Sequence, residues 1–281
     1  MDILSAVIAG IIQGFTEFLP VSSSGHLSIY HILFASSDVI DQTAFDVFLH
    51  LGTLFAVCAV YRRDVSDLIR GCFTGLRRLI RIKNAKNGFL NNEKLVFFTV
   101  IATLPLVFAA LIGADGWADK MSRSLCLIGA ALILNGFVLL LSEHVGKGSK
   151  TLAEMKTKNA LCVGICQMFA VVPGLSRSGS TVCGGLLQGF KREDAVKFSF
   201  LISIPAIAGA NILKLPGLFG SGAFSANAAV YLSGFISAAV SGFAAIKLLT
   251  YTAKKARLRY FSYYCLTLGA FAVIYEIFIT N

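Results

Sequence analysis

Apolar residues in this chain come in blocks about as long as a bilayer is thick. Phe45 to Tyr61, Leu95 to Gly113, Leu125 to Leu141, Val196 to Leu215, Ala228 to Thr250 and Tyr260 to Ile279 each read as one spanning helix. Two further apolar stretches, Ile3 to Phe34 and Ala160 to Phe190, are broken in mid-segment by Pro, Gly and Ser. A plain spanning helix seldom carries such breaks, because each frees backbone groups that lipid cannot satisfy.

Composition agrees with this pattern: of 281 residues, 56% are hydrophobic and only 14% charged, well away from the balance of a soluble domain. The only charge near the start is Asp2, without the basic start and cleavage site of a signal peptide, so the N-terminus is expected to belong to the mature fold. The seven cysteines show neither metal nor redox spacing; Cys162 and Cys166 are four apart and the others stand singly, as small buried hydrophobes do.

Charge sets the topology. No Lys or Arg precedes Arg62, whereas the segment from Arg62 to Lys94 holds nine basic residues, among them Arg70, Arg77, Arg78, Arg81, Lys83 and Lys86. Further basic groups follow the third block (Lys147, Lys150, Lys156, Lys158) and the fifth (Lys254, Lys255, Arg257, Arg259). These segments are expected on the inside. The membrane rule accounts for the net charge of +10, and no nucleic-acid partner is expected. Asp38, Asp41 and Asp46 fall on the outer side, Trp117 reads as an interfacial anchor, and both ends of Ala160 to Phe190 come out inside.

Each interrupted stretch must therefore enter and leave by one face, the first from outside and the second from inside. The reading is an all-α polytopic membrane protein: six transmembrane helices plus two re-entrant helical hairpins, forming inverted-topology repeats of about 1–142 and 143–281 within one integral-membrane domain (1–281). The sequence keeps a trace of the repeat. GIIQGFTEFLPVSSSGH from Gly10 and GICQMFAVVPGLSRSGST from Gly164 share Gly, Ile, Gln and Phe in register, then a proline and a Ser-rich turn.

Pro20 and Pro173 should each end a helix, and the turns after them should open the next, giving two broken helices whose positive ends suit an anion. Gln13 and Glu17 lie four apart on one helical face, followed by Ser22, Ser23, Ser24 and His26; the second tip adds Ser176, Arg177, Ser178, Ser180 and Thr181. A charged group at bilayer depth costs about 2.5–3.5 kcal/mol, which makes Glu17, His26 and Arg177 functional candidates. Taken singly, the serines suit an ordinary loop, His26 a structural role and Arg177 a snorkelling one. Gathered in one volume, they are the parts of a phosphoryl-transfer site. His50, Asp46, Asn135 and Gln188 are candidates for the cavity wall, with packing at least as good an explanation. No Walker A lysine, HExxH or GxSxG elbow is present, and the phosphatidic-acid phosphatase pattern fails where it requires His and this chain has Cys183.

QGFTEFLPVSSSGH and PGLSRSGST together resemble the two signatures of the undecaprenyl-diphosphate phosphatases of the bacitracin-resistance type, with similarity along essentially the whole chain. The resemblance implies an enzyme of the bacterial inner membrane that removes the terminal phosphate of undecaprenyl diphosphate. Its site would open to the extracytoplasmic side, a divalent cation (Mg2+ or Ca2+) would assist, and the enzyme would be a homodimer. By position it implies Glu17 as the acid of the first motif, Ser23 as nucleophile or substrate-binding hydroxyl, His26 as acid/base group and Arg177 as diphosphate anchor. Ser22, Ser24, Ser176, Ser178 and Thr181 would contact substrate, and Glu17 with Gln13 would hold the cation. Gln13 departs from a position that is Glu in many members and offers a neutral carbonyl in place of a charge. Ser23, His26 itself or a water activated by His26 remain open as nucleophile. A lipid-phosphate flippase or anion transporter is the alternative, since inverted repeats with broken helices also serve transport.

Overall fold

The computed structural model of the chain describes residues 1–34, 42–80, 91–145, 148–220, 227–252 and 258–280. Of the charged residues read above, Asp38, Asp41, Arg81, Lys83, Lys86, Lys147, Lys254, Lys255 and Arg257 lie outside these ranges. Apart from one parallel bridge between Lys150 and Phe190, the regular structure among the described residues is helical.

The first interrupted stretch forms α1 (Ile3–Phe18) and α2 (Ser23–Phe34), followed by α3 (Gln42–Val60), α4 (Arg62–Ile80), α5 (Asn91–Leu111), α6 (Ala114–Met121) and α7 (Leu125–Val145). The second interrupted stretch forms α8 (Thr157–Phe169) and α9 (Arg177–Leu187), and the chain continues through α10 (Arg192–Gly220), α11 (Ala228–Thr252) and α12 (Arg259–Tyr275). Five helices, α5, α7, α10, α11 and α12 with its C-terminal extension, are long and apolar enough to cross a membrane. The remaining block, α3, runs into α4 through a bend of 92° at Tyr61. Apolar side chains such as Phe108, Leu134, Ile236 and Phe271 face outward, a surface suited to lipid and not to water. The chain is an integral membrane protein.

Two helices fall where the sequence reading has loops. In α4, Arg62, Arg63 and Asp64 end the apolar run of α3, so the chain turns aside while remaining helical. Ile69, Phe73 and Leu76 then line one exposed apolar stripe between arginines. This spacing of 3.6 residues is visible in the sequence but is masked by the charge density. α6 is only eight residues long and carries Trp117 outward.

The packing partners exchange between the two halves. Helix α1 lies along α11, and its counterpart α8 lies along α5; α7 pairs with α12, and α3 crosses α10 at the centre. Lipid supplies no hydrophobic drive for these contacts, so close backbone approach must hold them. Gly14 sits where an added Cβ would lie 2.5 Å from the Ala238 carbonyl oxygen and 2.6 Å from the Gly242 nitrogen. At the α7–α12 crossing the relation is reciprocal: a Cβ on Gly129 would meet the Gly269 oxygen at 2.6 Å, and one on Gly269 would meet the Gly129 oxygen at 2.6 Å. Gly75 of α4, by contrast, has open space around it. Gly14→Ala should therefore destabilise the protein by about 1–3 kcal/mol through overpacking. Gly75→Ala should be neutral or stabilise by up to about 1 kcal/mol through helix propensity. Thermal unfolding of both variants in detergent checks the contrast.

Candidate active site

Both helix breaks follow the same local chemistry. After α1 the chain passes Leu19, Pro20 and Val21 to Ser22, which adopts φ 71, a left-handed conformation that side chains rarely take. Ser22 Oγ accepts from the Gly25 N–H at 3.3 Å, capping the start of α2. After α8, Gly174 takes φ 99, and Ser176 Oγ accepts from the Gly179 N–H at 3.1 Å, capping α9. In each half a serine thus caps a helix whose third residue is glycine.

The two tips meet. A Cβ on Gly25 would lie 3.1 Å from Gly174 Cα, and one on Gly179 would lie 3.3 Å from Pro20 Cβ. Backbone freed by the first break is taken up by the second tip and by α7. Ser178 Oγ donates to the Leu19 carbonyl at 2.9 Å, and Asn135 Nδ2 of α7 donates to the Pro20 carbonyl at 3.0 Å. Asn135 Oδ1 accepts from the Ser176 N–H at 3.2 Å, so this one amide ties both tips together.

Glu17, in the last turn of α1, is the hub. Its side chain is 5% exposed. Oε1 pairs with the Arg177 guanidinium, while Oε2 accepts from Ser23 Oγ at 2.7 Å and from Gln13 Nε2 at 3.0 Å. His50 Nε2 of α3 stands 3.8 Å from Oε2. Ser23 and Arg177 are the first residues of α2 and α9, equivalent places in the two broken helices. This cluster opens on a cavity of about 340 Å³ bounded by both tips, α3, α6 and α10. The cavity continues into a neighbouring chamber of about 450 Å³ at the end where α6 and Lys214 lie. A phosphate group entering it meets a guanidinium, a hydroxyl and a carboxylate.

The family model described as Bacitracin resistance protein BacA matches residues 6–271. The chain belongs to the BacA family. It is 38% identical over 276 residues to the undecaprenyl-diphosphatase of Halothermothrix orenii, covering 98% of each chain. To the undecaprenyl-diphosphatase of Methanosphaera stadtmanae it is 36% identical over 280 residues, covering 99% of each. To that of Geobacter sulfurreducens it is 36% identical over 276 residues, covering 98% of each.

In this BacA-family chain Glu17, Ser23, Ser24, Ser176 and Arg177 line the cavity, but not every residue expected there does. Ser22 and Ser178 are buried in the tip contacts, and Thr181 turns away to Ser199 Oγ at 2.6 Å. His26 stands apart from the Glu17 cluster. Its Nδ1 lies 2.7 Å from the Ser22 carbonyl and its Nε2 2.6 Å from the Tyr264 hydroxyl, with the two rings stacked. The carbonyl can only accept, so Nδ1 donates and Nε2 accepts from the tyrosine. Of the residues left between cavity and packing, His50 and Asp46 line the cavity, Asn135 latches the tips, and Gln188 bonds Asn159 Nδ2 at 2.9 Å, away from the cavity. Arg123 and Lys214, at the mouth, escaped the sequence reading. Their signal was an exception to the charge rule, basic residues on the side assigned to the outside.

Gln13 and Glu17 fit a hard divalent cation on one observation. Gln13 is wholly buried, and its Oε1 has no hydrogen-bond partner among the described residues. With Glu17 Oε2 and Ser23 Oγ nearby, the donors are oxygens, as Mg2+ and Ca2+ prefer, and Mg2+ is commonly bound by one or two carboxylates completed by substrate phosphate. Among the described residues no group of three His, Cys, Asp or Glu forms a closed metal cage.

Asn135→Ala would strand the Pro20 carbonyl and the Ser176 N–H together. A loss of about 1–3 kcal/mol for each group left unsatisfied is expected, with lowered activity as the tips separate. Thermal unfolding and turnover of the purified variant measure the two effects.

Proposed function

We propose that the chain hydrolyses undecaprenyl diphosphate to undecaprenyl phosphate and inorganic phosphate, recycling the lipid carrier for cell-wall synthesis. The observation that carries this reading is the meeting of Arg177 and Ser23, from opposite halves, on the two oxygens of Glu17 at a cavity wall. The names of the relatives support the substrate.

In the resting site Arg177 neutralises Glu17. A terminal phosphate offers the guanidinium a bidentate partner, and the first residues of α9 offer N–H groups besides. Drawing Arg177 onto the phosphate frees Glu17 to act as proton acceptor. Glu17 Oε2 is already bonded to Ser23 Oγ, so it takes the hydroxyl proton as Oγ attacks the terminal phosphorus. The bridging P–O bond breaks, and undecaprenyl phosphate leaves with that proton. Water then attacks the phosphoserine, Glu17 accepts a proton from that water, and it passes this proton to Ser23 Oγ as the phosphoserine O–P bond breaks and phosphate departs. His26, fixed between Ser22 and Tyr264, positions the start of α2 and hence Ser23. A divalent cation held by Glu17 and Gln13 would neutralise phosphate oxygens.

The same proposal includes six spans with α1–α2 and α8–α9 as two re-entrant hairpins in inverted repeats. The exchange of packing partners between halves supports it. The site would open on the extracytoplasmic side of the bacterial inner membrane; the arginines of α4, expected inside by the positive-inside rule, support this reading. The enzyme would be a homodimer, and light scattering of the detergent complex tests that.

Arg177→Ala and Glu17→Gln should each lower turnover by about 100-fold or more, the usual scale for losing one electrostatic partner at a reacting centre. The assay is phosphate release from a C55 or C15 prenyl diphosphate in detergent, which also separates hydrolysis from transport, since a transporter returns its substrate intact. Substrate carrying label in its terminal phosphate should mark Ser23; label found on His26 and surviving Ser23→Ala would end the serine mechanism.

A further inference from the structure

His50 makes one committed contact. Its Nδ1 lies 2.7 Å from the carbonyl oxygen of Asp46, an atom that can only accept, so Nδ1 carries the hydrogen. In a neutral imidazole the lone pair is then on Nε2. That atom faces Glu17 Oε2 across 3.8 Å, and a carboxylate oxygen is also an acceptor. Two acceptors facing each other in a half-buried pocket are reconciled in one of two ways, a proton on Nε2 that makes the pair an ion pair or a metal ion between them. The separation is long for an N–H···O hydrogen bond, which spans about 2.7–3.2 Å. It falls at the wide end of the distance between two ligands sharing one metal, about 3–3.8 Å when each bond is near 2.1 Å. The second-shell pattern agrees: metal-ligating histidines characteristically donate their other ring N–H to a backbone carbonyl or carboxylate, which fixes the tautomer and aims the lone pair.

We propose that His50 Nε2 is a nitrogen donor to the divalent cation, joining Glu17 and Gln13 beside the phosphate cavity. The proposal rests on the cation reading above and extends it from the hairpin to α3. Gln13, whose buried Oε1 has no hydrogen-bond partner among the described residues, donates from Nε2 to the same Glu17 oxygen, and the His50 ring, 34% exposed, lines the cavity. Protein donors would thus come from α1 and α3, leaving the cavity side for phosphate oxygens and water. An imidazole ligand also changes the choice of ion. It favours Mn2+, Co2+ and Zn2+ over Mg2+ and Ca2+, which prefer all-oxygen sites.

The test uses the intact protein in detergent, loaded with Mn2+ and examined by pulsed electron paramagnetic resonance. Bound Mn2+ should show nitrogen-14 modulation from an imidazole. That modulation should vanish in His50→Gln and persist in His26→Gln, and His50→Gln should weaken Mn2+ binding by at least about 10-fold. Bound Mn2+ without nitrogen modulation, or with modulation that survives His50→Gln, overturns His50 as a ligand while the cation reading stands. Absence of any tightly bound Mn2+ overturns both. Unchanged thermal unfolding of metal-free His50→Gln separates loss of a ligand from loss of fold.

Discussion

A carboxylate buried among membrane helices has to be answered, and the arrangement of this molecule follows from how Glu17 is answered. An ion left unpaired there costs several kcal/mol, more than most single contacts return. The compensation comes from both halves of the chain: Ser23 from the first residue of α2 and Arg177 from the first residue of α9. Neither half can satisfy Glu17 alone. The carboxylate therefore specifies that the two broken helices meet, as well as serving the chemistry there.

Meeting inside the protein has its own requirement, since buried irregular backbone must find partners there. The first break exposes the carbonyls of Leu19 and Pro20; the second half answers with Ser178, and α7 of the first half with Asn135. The close approach of Gly25 to Gly174 makes these bonds reachable. Ser22 carries a left-handed conformation at the same place, a local cost that a side-chain residue accepts only when its surroundings fix it. Its side chain caps α2 and its carbonyl receives His26, so both ends of the strained residue are engaged.

Much of this was legible before any coordinates. Uninterrupted apolar blocks became helices, and Pro20 and Pro173 fell in the two breaks, because span length and proline chemistry are local properties. Glu17 and Arg177 stood out because charge among apolar helices is rarely left without a purpose, and Ser23 stood out only through the resemblance of its motif. α4 was hidden because its charge density read as a loop although its apolar spacing was helical. The positions of His26 and His50 were not legible, because each depends on the direction of a helix face. The turn at Ser22 rotates His26 toward Tyr264 of α12, whereas His50, two turns into an apolar helix, is carried to Glu17 by the crossing of α3 over the hairpin. Sequence spacing cannot supply such a crossing.

In the proposed mechanism, sharing one carboxylate between anchor and nucleophile would also link binding to reactivity. While Arg177 holds Oε1, the negative charge of Glu17 is drawn toward the guanidinium and its power to accept a proton from Ser23 falls. A diphosphate competes for Arg177 with more charge and with geometry suited to two parallel hydrogen bonds. On the proposed mechanism, movement of the guanidinium to the phosphate would free Glu17 where Ser23 already touches it. The site would then be most reactive when its anchor is engaged, and a lipid headgroup with no phosphate in reach of Arg177 would leave Ser23 in its resting hydrogen bond. Discrimination in favour of the diphosphate would thus come from the ion pair that stabilises the empty site, without a separate recognition element.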